Sequence, residues 1–155
     1  MLFNSKQSLE GHFLPHLKLN GTEQMALDEL LLDKSFDPAS FSMACRFYSW
    51  EGSWLSIGRN QKNIPISWEN LLKKEKIKIV RRPSGGEAVL HSGGITYGLI
   101  WKNPPREKKQ AYFQASNWII KSFTELGLPL KFGQQKVNSF SLSGNCFSSK
   151  TTADL

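Results

Sequence analysis

The sequence of 155 residues predicts an α+β fold built as one domain. Hydrophobic residues make up 39% of the chain and include five Trp and ten Phe, which excludes wholesale disorder. One helical segment, several strand segments, a second helical segment and further strands follow one another along the chain. That order favours α+β over a doubly wound parallel sheet, in which strands and helices alternate regularly.

The first third of the chain predicts a helix followed by two strands. Asn20 and Glu23 have the spacing of a capping box, and apolar residues recur at helical intervals until the helix ends near residues 35–38. Apolar and polar residues then alternate over 44–50, as in a strand. A turn containing Gly52 leads into a second, short strand at 54–58.

A short helix and three strands are predicted next. Ser67 can cap a helix that runs through Lys74. The strands, each bounded by Gly, Ser or Pro residues, are expected at 76–82, 87–91 and 95–101.

The last predicted helix begins at Arg106 and ends before Gly127, a good residue for the position after a helix C-cap. Residues 128–155 have the composition of short strands and loops. The positions that share one face of this helix are Tyr112, Ser116, Ile119, Phe123 and Leu126.

Charge and cysteine content narrow the class of protein. Twenty Lys and Arg against thirteen Asp and Glu give a net charge of +7, which suits an acidic partner, although a Lys-rich solvated surface is the favoured explanation. No apolar run approaches the roughly 20 residues that span a bilayer, and residues 1–17 lack the apolar core of a signal peptide. Cys45 and Cys146, 101 positions apart, have the spacing of neither a metal site nor a disulfide framework. We therefore expect a cytoplasmic protein with reduced thiols, no metal and no membrane segment.

Residues 81–91 hold the strongest concentration of possible binding groups. Arg81 and Arg82 end a strand, and the alternation of strand side chains directs them to opposite faces, so that one of them faces any pocket. Gly85 and Gly86 would let backbone N–H groups approach a ligand. A hairpin turn that needs Pro and Gly explains the same residues, and from their chemistry alone the two interpretations are equal. His91 has either an acid–base role or an orienting role through hydrogen bonds to backbone.

Four blocks in the chain closely resemble the family of biotin and lipoate protein ligases. The resemblance covers about residues 20–155, so that residues 1–19 are an N-terminal extension of a single domain, 1–155. It implies a mixed or antiparallel sheet flanked by helices. The blocks are Gly21-Thr22-Glu23-Gln24-Met25-Ala26-Leu27-Asp28-Glu29, residues 47–61, residues 81–97 with Arg-Arg-Pro-Ser-Gly-Gly-x-Ala-Val-Leu-His, and Asn145-Cys146-Phe147 with Ala153-Asp154-Leu155.

The resemblance implies an enzyme of protein lipoylation. Cys146 matches the residue that carries an octanoyl group as a thioester in the octanoyltransferase branch, where acyl carrier protein is the donor and no cofactor is needed. The acceptor would be a lysine of a lipoyl domain of dehydrogenase complexes or of the glycine cleavage H protein. Lys150 or His91 could lower the pKa of the Cys146 thiol, whereas Cys45 is interpreted as a small packed residue. The residues implied to line the acyl pocket are Arg82, Ser84, Gly85, Gly86, Ala88, Val89, Leu90 and His91.

Departures from the family pattern leave alternatives open. Glu87 and Ser92 stand where lipoate ligases that use ATP usually have Gly and Asp, which favours transfer over an ATP-dependent and Mg-dependent ligase. The family's essential Lys motif would follow Leu155, so we expect a C-terminally incomplete domain. A non-catalytic remnant or a basic binding module is the alternative from another class. Nucleic-acid binding is less favoured, because the Trp residues are not accompanied by base-reading motifs.

Overall fold

The computed structural model describes residues 11–64 and 66–130. Helices and strands follow one another in the order that the sequence predicts, with one additional strand at the N-terminal end of this part. Their bounds are β1 (Gly11–Leu19), α1 (Gly21–Lys34), β2 (Met43–Trp50), β3 (Trp54–Ile57), α2 (Ile66–Lys73), β4 (Lys78–Arg81), β5 (Val89–His91), β6 (Ile95–Trp101) and α3 (Lys108–Glu125).

The strands form two sheets of three strands each, so the α+β prediction is confirmed while the single sheet is divided in two. In the first sheet, of order β1-β2-β6, β1 runs parallel to β2 and β6 runs antiparallel to it. In the second sheet, of order β4-β3-β5, β4 is parallel to β3 and β5 is antiparallel. Each sheet is therefore mixed.

The sheets separate where β2 ends. β2 and β3 are adjacent in sequence, yet they pair with different partners, and the turn between them contains Gly52 with a positive φ of 78°. Trp54 then packs beside the start of α1, where a Cβ at Gly21 would lie 2.4 Å from the indole. The close approach fixes helix α1 over the junction of the two sheets.

Residues 11–19, which were predicted as part of an extension, pair with β2 along the edge of the first sheet. His12 and His16 consequently lie on a strand, and both residues are exposed. His16 Nε2 lies 3.0 Å from Ser49 Oγ on β2, and the His12 ring packs 5.6 Å from that of Phe41. The pairing is irregular between Leu14 and Leu17, and Pro15 lies in that part of β1, an edge strand that tolerates a residue without an N–H.

The helix boundaries follow from capping chemistry. The Asn20 side chain accepts hydrogen bonds from the backbone N–H groups of Thr22 and Glu23, and the Glu23 carboxylate accepts one from the Asn20 N–H, so the predicted capping box is confirmed. The last helix is followed by Gly127 with φ 75°, as expected for the residue after a C-cap. Helix α2 begins at Ile66, which places Ser67 inside the first turn rather than at the predicted cap.

Three hydrophobic clusters hold these elements together. One joins Met25 of α1 to Tyr48, Trp50 and Trp54, and thereby links the helix to both sheets. A second packs Leu55, Ile57, Ile77 and Ala88 on the far side of the second sheet. The third lies under the other end of α1 around Ala44. No helix of the described residues combines the length and the hydropathy needed to cross a bilayer.

Candidate active site

A cavity of about 690 Å³ lies between the two sheets, helix α1 and helix α3. Its size falls within the roughly 300–1,000 Å³ of small-molecule sites, and most of its wall is apolar. Polar groups enter it from both sheets and from helices α1 and α3. The lining residues that carry a polar or titratable side chain are Asp28, Ser35, Tyr48, Trp50, Ser56, Arg82, Ser84, His91, Thr96, Tyr97, Trp101, Tyr112 and Ser116.

The glycine loop at residues 83–87 packs directly on the loop that follows β3. A Cβ built at Gly58 would lie 1.8 Å from the Gly86 carbonyl oxygen, so no side chain fits at that position. Gly86 itself has φ 93°, a conformation that L residues with a side chain rarely adopt. The Arg59 N–H donates to the Ser84 carbonyl oxygen at 2.9 Å and closes the contact. The two glycines are thus required by the loop-to-loop contact itself.

The two arginines fasten this pair of loops from opposite sides, as strand alternation predicts. Arg81 Nη1 donates to the backbone carbonyl oxygens of Gly58, Arg59 and Gln61. Arg82 lines the cavity and donates to the carbonyl oxygens of Ser56, Gly85 and Glu87 at 2.6–2.9 Å. The Arg82 guanidinium therefore holds the glycine loop in place while it contributes positive charge to the cavity.

His91 is fixed by three neighbours at the same end of the cavity. Its ring stacks on Trp50 with the ring centroids 4.0 Å apart. Nε2 lies 2.9 Å from Ser56 Oγ, and Nδ1 lies 3.4 Å from Thr96 Oγ1. The predicted bonds to backbone are replaced by bonds to these two hydroxyl groups. Burial, assisted by the positive charge of Arg82, lowers the pKa of His91 to about 4, so the imidazole is neutral at physiological pH.

A buried ion pair supports the opposite wall of the cavity. The Arg46 side chain is 2% exposed, and it contacts Asp28 Oδ1 at 2.7–2.8 Å and both the side chain and the backbone oxygen of Gln24 at 2.6 Å. Its guanidinium lies 3.9 Å from the centre of the Tyr48 ring, whose hydroxyl donates to Asp28 Oδ2 at 3.3 Å. Burial raises the pKa of the Asp28 carboxyl despite the opposing effect of Arg46.

The second face of the first sheet holds a smaller cavity of about 320 Å³. Cys45 lies there among apolar neighbours, which include Phe47, Leu99 and Trp118. Burial raises the pKa of the Cys45 thiol, which disfavours the reactive thiolate. This environment agrees with the interpretation of Cys45 as a packed residue.

The residues predicted to line the acyl pocket divide into two groups. Arg82, Ser84, Val89 and His91 line the larger cavity. Ala88 is fully buried in the cluster on the far side of the second sheet, and Leu90 is 51% exposed, because strand β5 directs alternate residues to opposite faces. Gly85 and Gly86 shape the loop without lining the cavity. Cys146 and Lys150 lie outside the described residues.

Several cavity residues were absent from the predicted site. Ser56, Trp50 and Thr96 contact His91 or one another, and Asp28 with Tyr48 forms the polar wall. Alternation along β2 places Tyr48 and Trp50 on one face and could have indicated both. Among residues 11–64 and 66–130, no cluster of three His, Cys, Asp or Glu side chains is arranged to share a metal ion.

Comparison with known proteins identifies the class to which this fold and cavity belong. Residues 20–150 match the lipoyl protein ligase A/B catalytic domain, and the chain belongs to that family. The recognised resemblance is thereby confirmed. Its curated relatives include three proteins named octanoyltransferase LipM. The Carboxydothermus hydrogenoformans protein is 30% identical, and the match covers 92% of this chain and 54% of that protein. The Lysinibacillus sphaericus protein is 34% identical, with 78% of this chain and 45% of that protein covered. The Geobacillus kaustophilus protein is 36% identical, with 72% of this chain and 41% of that protein covered.

Solved structures show the same fold. A putative lipoate protein ligase of Thermoplasma acidophilum with bound lipoic acid superposes with a TM-score of 0.68 at 23% identity, covering 86% of this chain and 55% of that one. A lipoate-protein ligase A bound with ATP gives a TM-score of 0.68 at 23% identity, over 86% and 54% of the two chains. The chain thus spans about half the length of the relatives and structures it matches.

Proposed function

We propose that the protein takes part in lipoylation by transferring an octanoyl group to a lysine of a lipoyl domain, with Cys146 as the transient carrier. The observation that carries the proposal is the larger cavity, which has apolar walls and a cationic, glycine-bounded end. An acyl group needs an apolar pocket for its hydrocarbon chain and hydrogen-bond donors for its carbonyl oxygen. Membership of a family whose relatives are named octanoyltransferase supports the same substrate.

The chemistry requires two thioester steps and no nucleotide. The Cys146 thiolate attacks the carbonyl carbon of a carrier-bound octanoyl thioester, and the bond to the carrier sulfur breaks as that sulfur takes a proton. The ε-amine of the acceptor lysine then attacks the new thioester, giving an amide and releasing the Cys146 thiol. Each step exchanges a thioester for a bond of equal or lower energy, so ATP has no part in it.

The proposal gives distinct roles to the residues at the cavity and its loop. Val89 and the apolar wall would hold the octanoyl chain, while Arg82 and the loop that contains Ser84 would surround its carbonyl end. His91, neutral and bonded to Ser56, would orient groups at that end rather than carry charge. Gly85 and Gly86 would act through the shape of the loop.

Both protein partners of this reaction are inferred from its chemistry. Acyl carrier protein would be the donor, and a lipoyl domain of dehydrogenase complexes or of the glycine cleavage H protein the acceptor. Such partners are typically acidic, and a net charge of +7 would speed their encounter by electrostatic steering. We propose that the reaction takes place in the cytoplasm, where the sequence predicts the protein to be.

The proposal is tested with the full-length protein and octanoyl–acyl carrier protein in the absence of ATP. We expect mass spectrometry to show one added octanoyl group that neutral hydroxylamine removes, since it cleaves thioesters and leaves amides intact. Cys146→Ser should abolish both the adduct and transfer to a lipoyl domain. Cys45→Ser is the matched control and should transfer normally, because Cys45 lies on the opposite face of the first sheet.

Two results would overturn this assignment. A requirement for ATP, Mg and free lipoate, with Cys146→Ser fully active, would make the protein an ATP-dependent ligase, the activity named for one of its structural neighbours. Lack of activity with either donor would instead favour a non-catalytic role.

A further inference from the structure

A continuous chain of hydrogen bonds lines the cationic end of the larger cavity. The Trp50 indole N–H donates to Thr96 Oγ1 at 2.9 Å, and Thr96 Oγ1 lies 3.4 Å from His91 Nδ1. On the other side of the ring, His91 Nε2 lies 2.9 Å from Ser56 Oγ, which Arg82 Nη1 approaches at 3.4 Å. All five side chains line the cavity.

In this series of hydrogen bonds, the number of N–H and O–H hydrogens exceeds the number of contacts by one. A neutral imidazole has one N–H, each hydroxyl has one O–H, and the indole N–H is a donor only. If the His91 hydrogen is on Nε2, it goes to Ser56, Thr96 donates to Nδ1, and the Ser56 hydroxyl hydrogen remains. If it is on Nδ1, Ser56 donates to Nε2, and the Thr96 hydrogen remains. Either tautomer leaves one hydroxyl hydrogen for a group inside the cavity.

We propose that Ser56 presents this hydrogen to the carbonyl oxygen of the bound acyl group. The positive charge of Arg82 lies beside Ser56 rather than Thr96, so an oxygen acceptor is attracted to the Ser56 end of the chain. A guanidinium N–H directed at Ser56 Oγ also orients the hydroxyl hydrogen away from Arg82 and toward the cavity. The inference rests on the proposed function, because it takes the ligand to be an acyl group.

Such a donor would act most strongly when the carbonyl is attacked. The carbonyl oxygen gains negative charge as a nucleophile adds to the carbon, and a donor fixed in advance stabilises that charge without reorganisation. Ser56 is held in this way, since it is only 2% exposed and its strand β3 is paired on both sides. The residue belongs to the resemblance block 47–61 but lies outside the pattern of residues 81–91, and the sequence analysis gave it no role in the site.

The test uses octanamide labelled with ¹³C at the carbonyl, an unreactive analogue whose C=O stretching frequency falls when the oxygen accepts a hydrogen bond. Infrared spectra and titration calorimetry are recorded for the unaltered protein, for Ser56→Ala and for the control Ser53→Ala. The Ser53 hydroxyl pairs with that of Ser92 in an exposed contact outside the cavity. In Ser56→Ala we expect a higher carbonyl frequency and a Kd weaker by about two- to twelvefold, the range for one neutral hydrogen bond. Ser53→Ala should match the unaltered protein.

The outcomes separate this inference from the proposed function. Failure of octanamide to bind the unaltered protein overturns the acyl cavity and the inference together. Binding with an unchanged frequency and Kd in Ser56→Ala overturns the inference alone, as does a frequency shift in Thr96→Val that Ser56→Ala lacks. Should Ser56→Ala not fold, the unaltered protein decides, because a bound carbonyl frequency equal to that of octanamide in hexane means that no donor contacts it.

Discussion

Strand β2 separates two interiors that are held together by different forces. On one face Arg46, Tyr48 and Trp50 are buried against α1 and the larger cavity, where almost every polar atom has a specific partner. On the other face Cys45 and Phe47 are half-buried beside α3, and Phe47 meets Trp118 and Tyr97 through ring contacts 5.8–6.3 Å apart.

The difference indicates how each face should respond to substitution. A buried charge that loses its partner cannot return to water, so the face with the ion pair depends on individual residues. The aromatic face is stabilised by buried apolar area and by dispersion contacts, and several side chains contribute to both. We therefore expect the cavity face to be sensitive to single changes and the α3 face to tolerate conservative ones.

The largest expected effect is that of Arg46→Met. The change keeps an apolar stem but leaves the Asp28 carboxylate without its cationic partner and the Gln24 side-chain oxygen without the Arg46 donor. The free energy of unfolding in urea should fall by about 3–5 kcal/mol, the cost of breaking a buried ion pair. On the other face of the same strand, Met43→Leu should cost less than about 1.5 kcal/mol.

A double variant sharpens this prediction. Asp28→Leu combined with Arg46→Met removes both charges, and most of the lost stability should return because no unpaired ion remains. A single Arg46→Met variant as stable as Met43→Leu would contradict the assignment of the ion pair as the support of this face.

The next effect concerns the glycine loop at the cavity end. Gly58→Ala introduces a Cβ at 1.8 Å from the Gly86 carbonyl oxygen, so the two loops must move apart. Displacement of a binding group by about 1 Å can cost about 100-fold in rate, and we expect octanoyl transfer by the full-length enzyme to fall by that order. Gly94→Ala is the control, since its Cβ would meet no atom within 4 Å. Equal activity of the two variants would show that the loop contact is dispensable.

The sequence indicates some features of the fold much better than others. Local signals gave α1 correctly, because the capping box of Asn20 and Glu23 needs only residues three apart. The buried face of β2 could not be inferred in the same way. The alternation of side chains along the strand puts Arg46 and Cys45 on opposite faces but does not indicate which face is buried. Arg46 is buried because it pairs with Asp28, eighteen residues earlier in the sequence.

The same limit applies to the site. The composition of residues 81–91 indicated the loop, yet Arg82 bonds the loop's own carbonyls, which only the fold reveals. Ser56 comes into contact with His91, thirty-five positions later, through the pairing of β3 with β5. The division into two sheets was likewise not indicated by the turn at Gly52, because the same glycine would suit a hairpin between β2 and β3.

A smaller effect is expected from pH. Because the pKa of His91 is lowered from 6.5 to about 4, the unfolded chain binds a proton in that interval which the folded protein does not. Folding stability should therefore decrease as the pH falls from about 6.5 to 4. His91→Gln cannot take up the proton, so its melting temperature should depend less steeply on pH in that window. Parallel melting curves for both proteins would exclude His91 as a source of acid sensitivity.

The smallest effect is predicted for the α3 face, at Cys45. Burial raises the pKa of its thiol, so at pH 8 the thiolate fraction is smaller than in a free cysteine. In a Cys146→Ser background, iodoacetamide should alkylate Cys45 more slowly than N-acetylcysteine, and the rate should continue to rise at pH values where the free thiol has levelled off. Cys45→Ser should cost about 1 kcal/mol of stability, a typical value for a point substitution. Alkylation of Cys45 as fast as that of the free thiol would show that this apolar face carries a reactive group. The contrast between the two sides of β2 would then no longer hold.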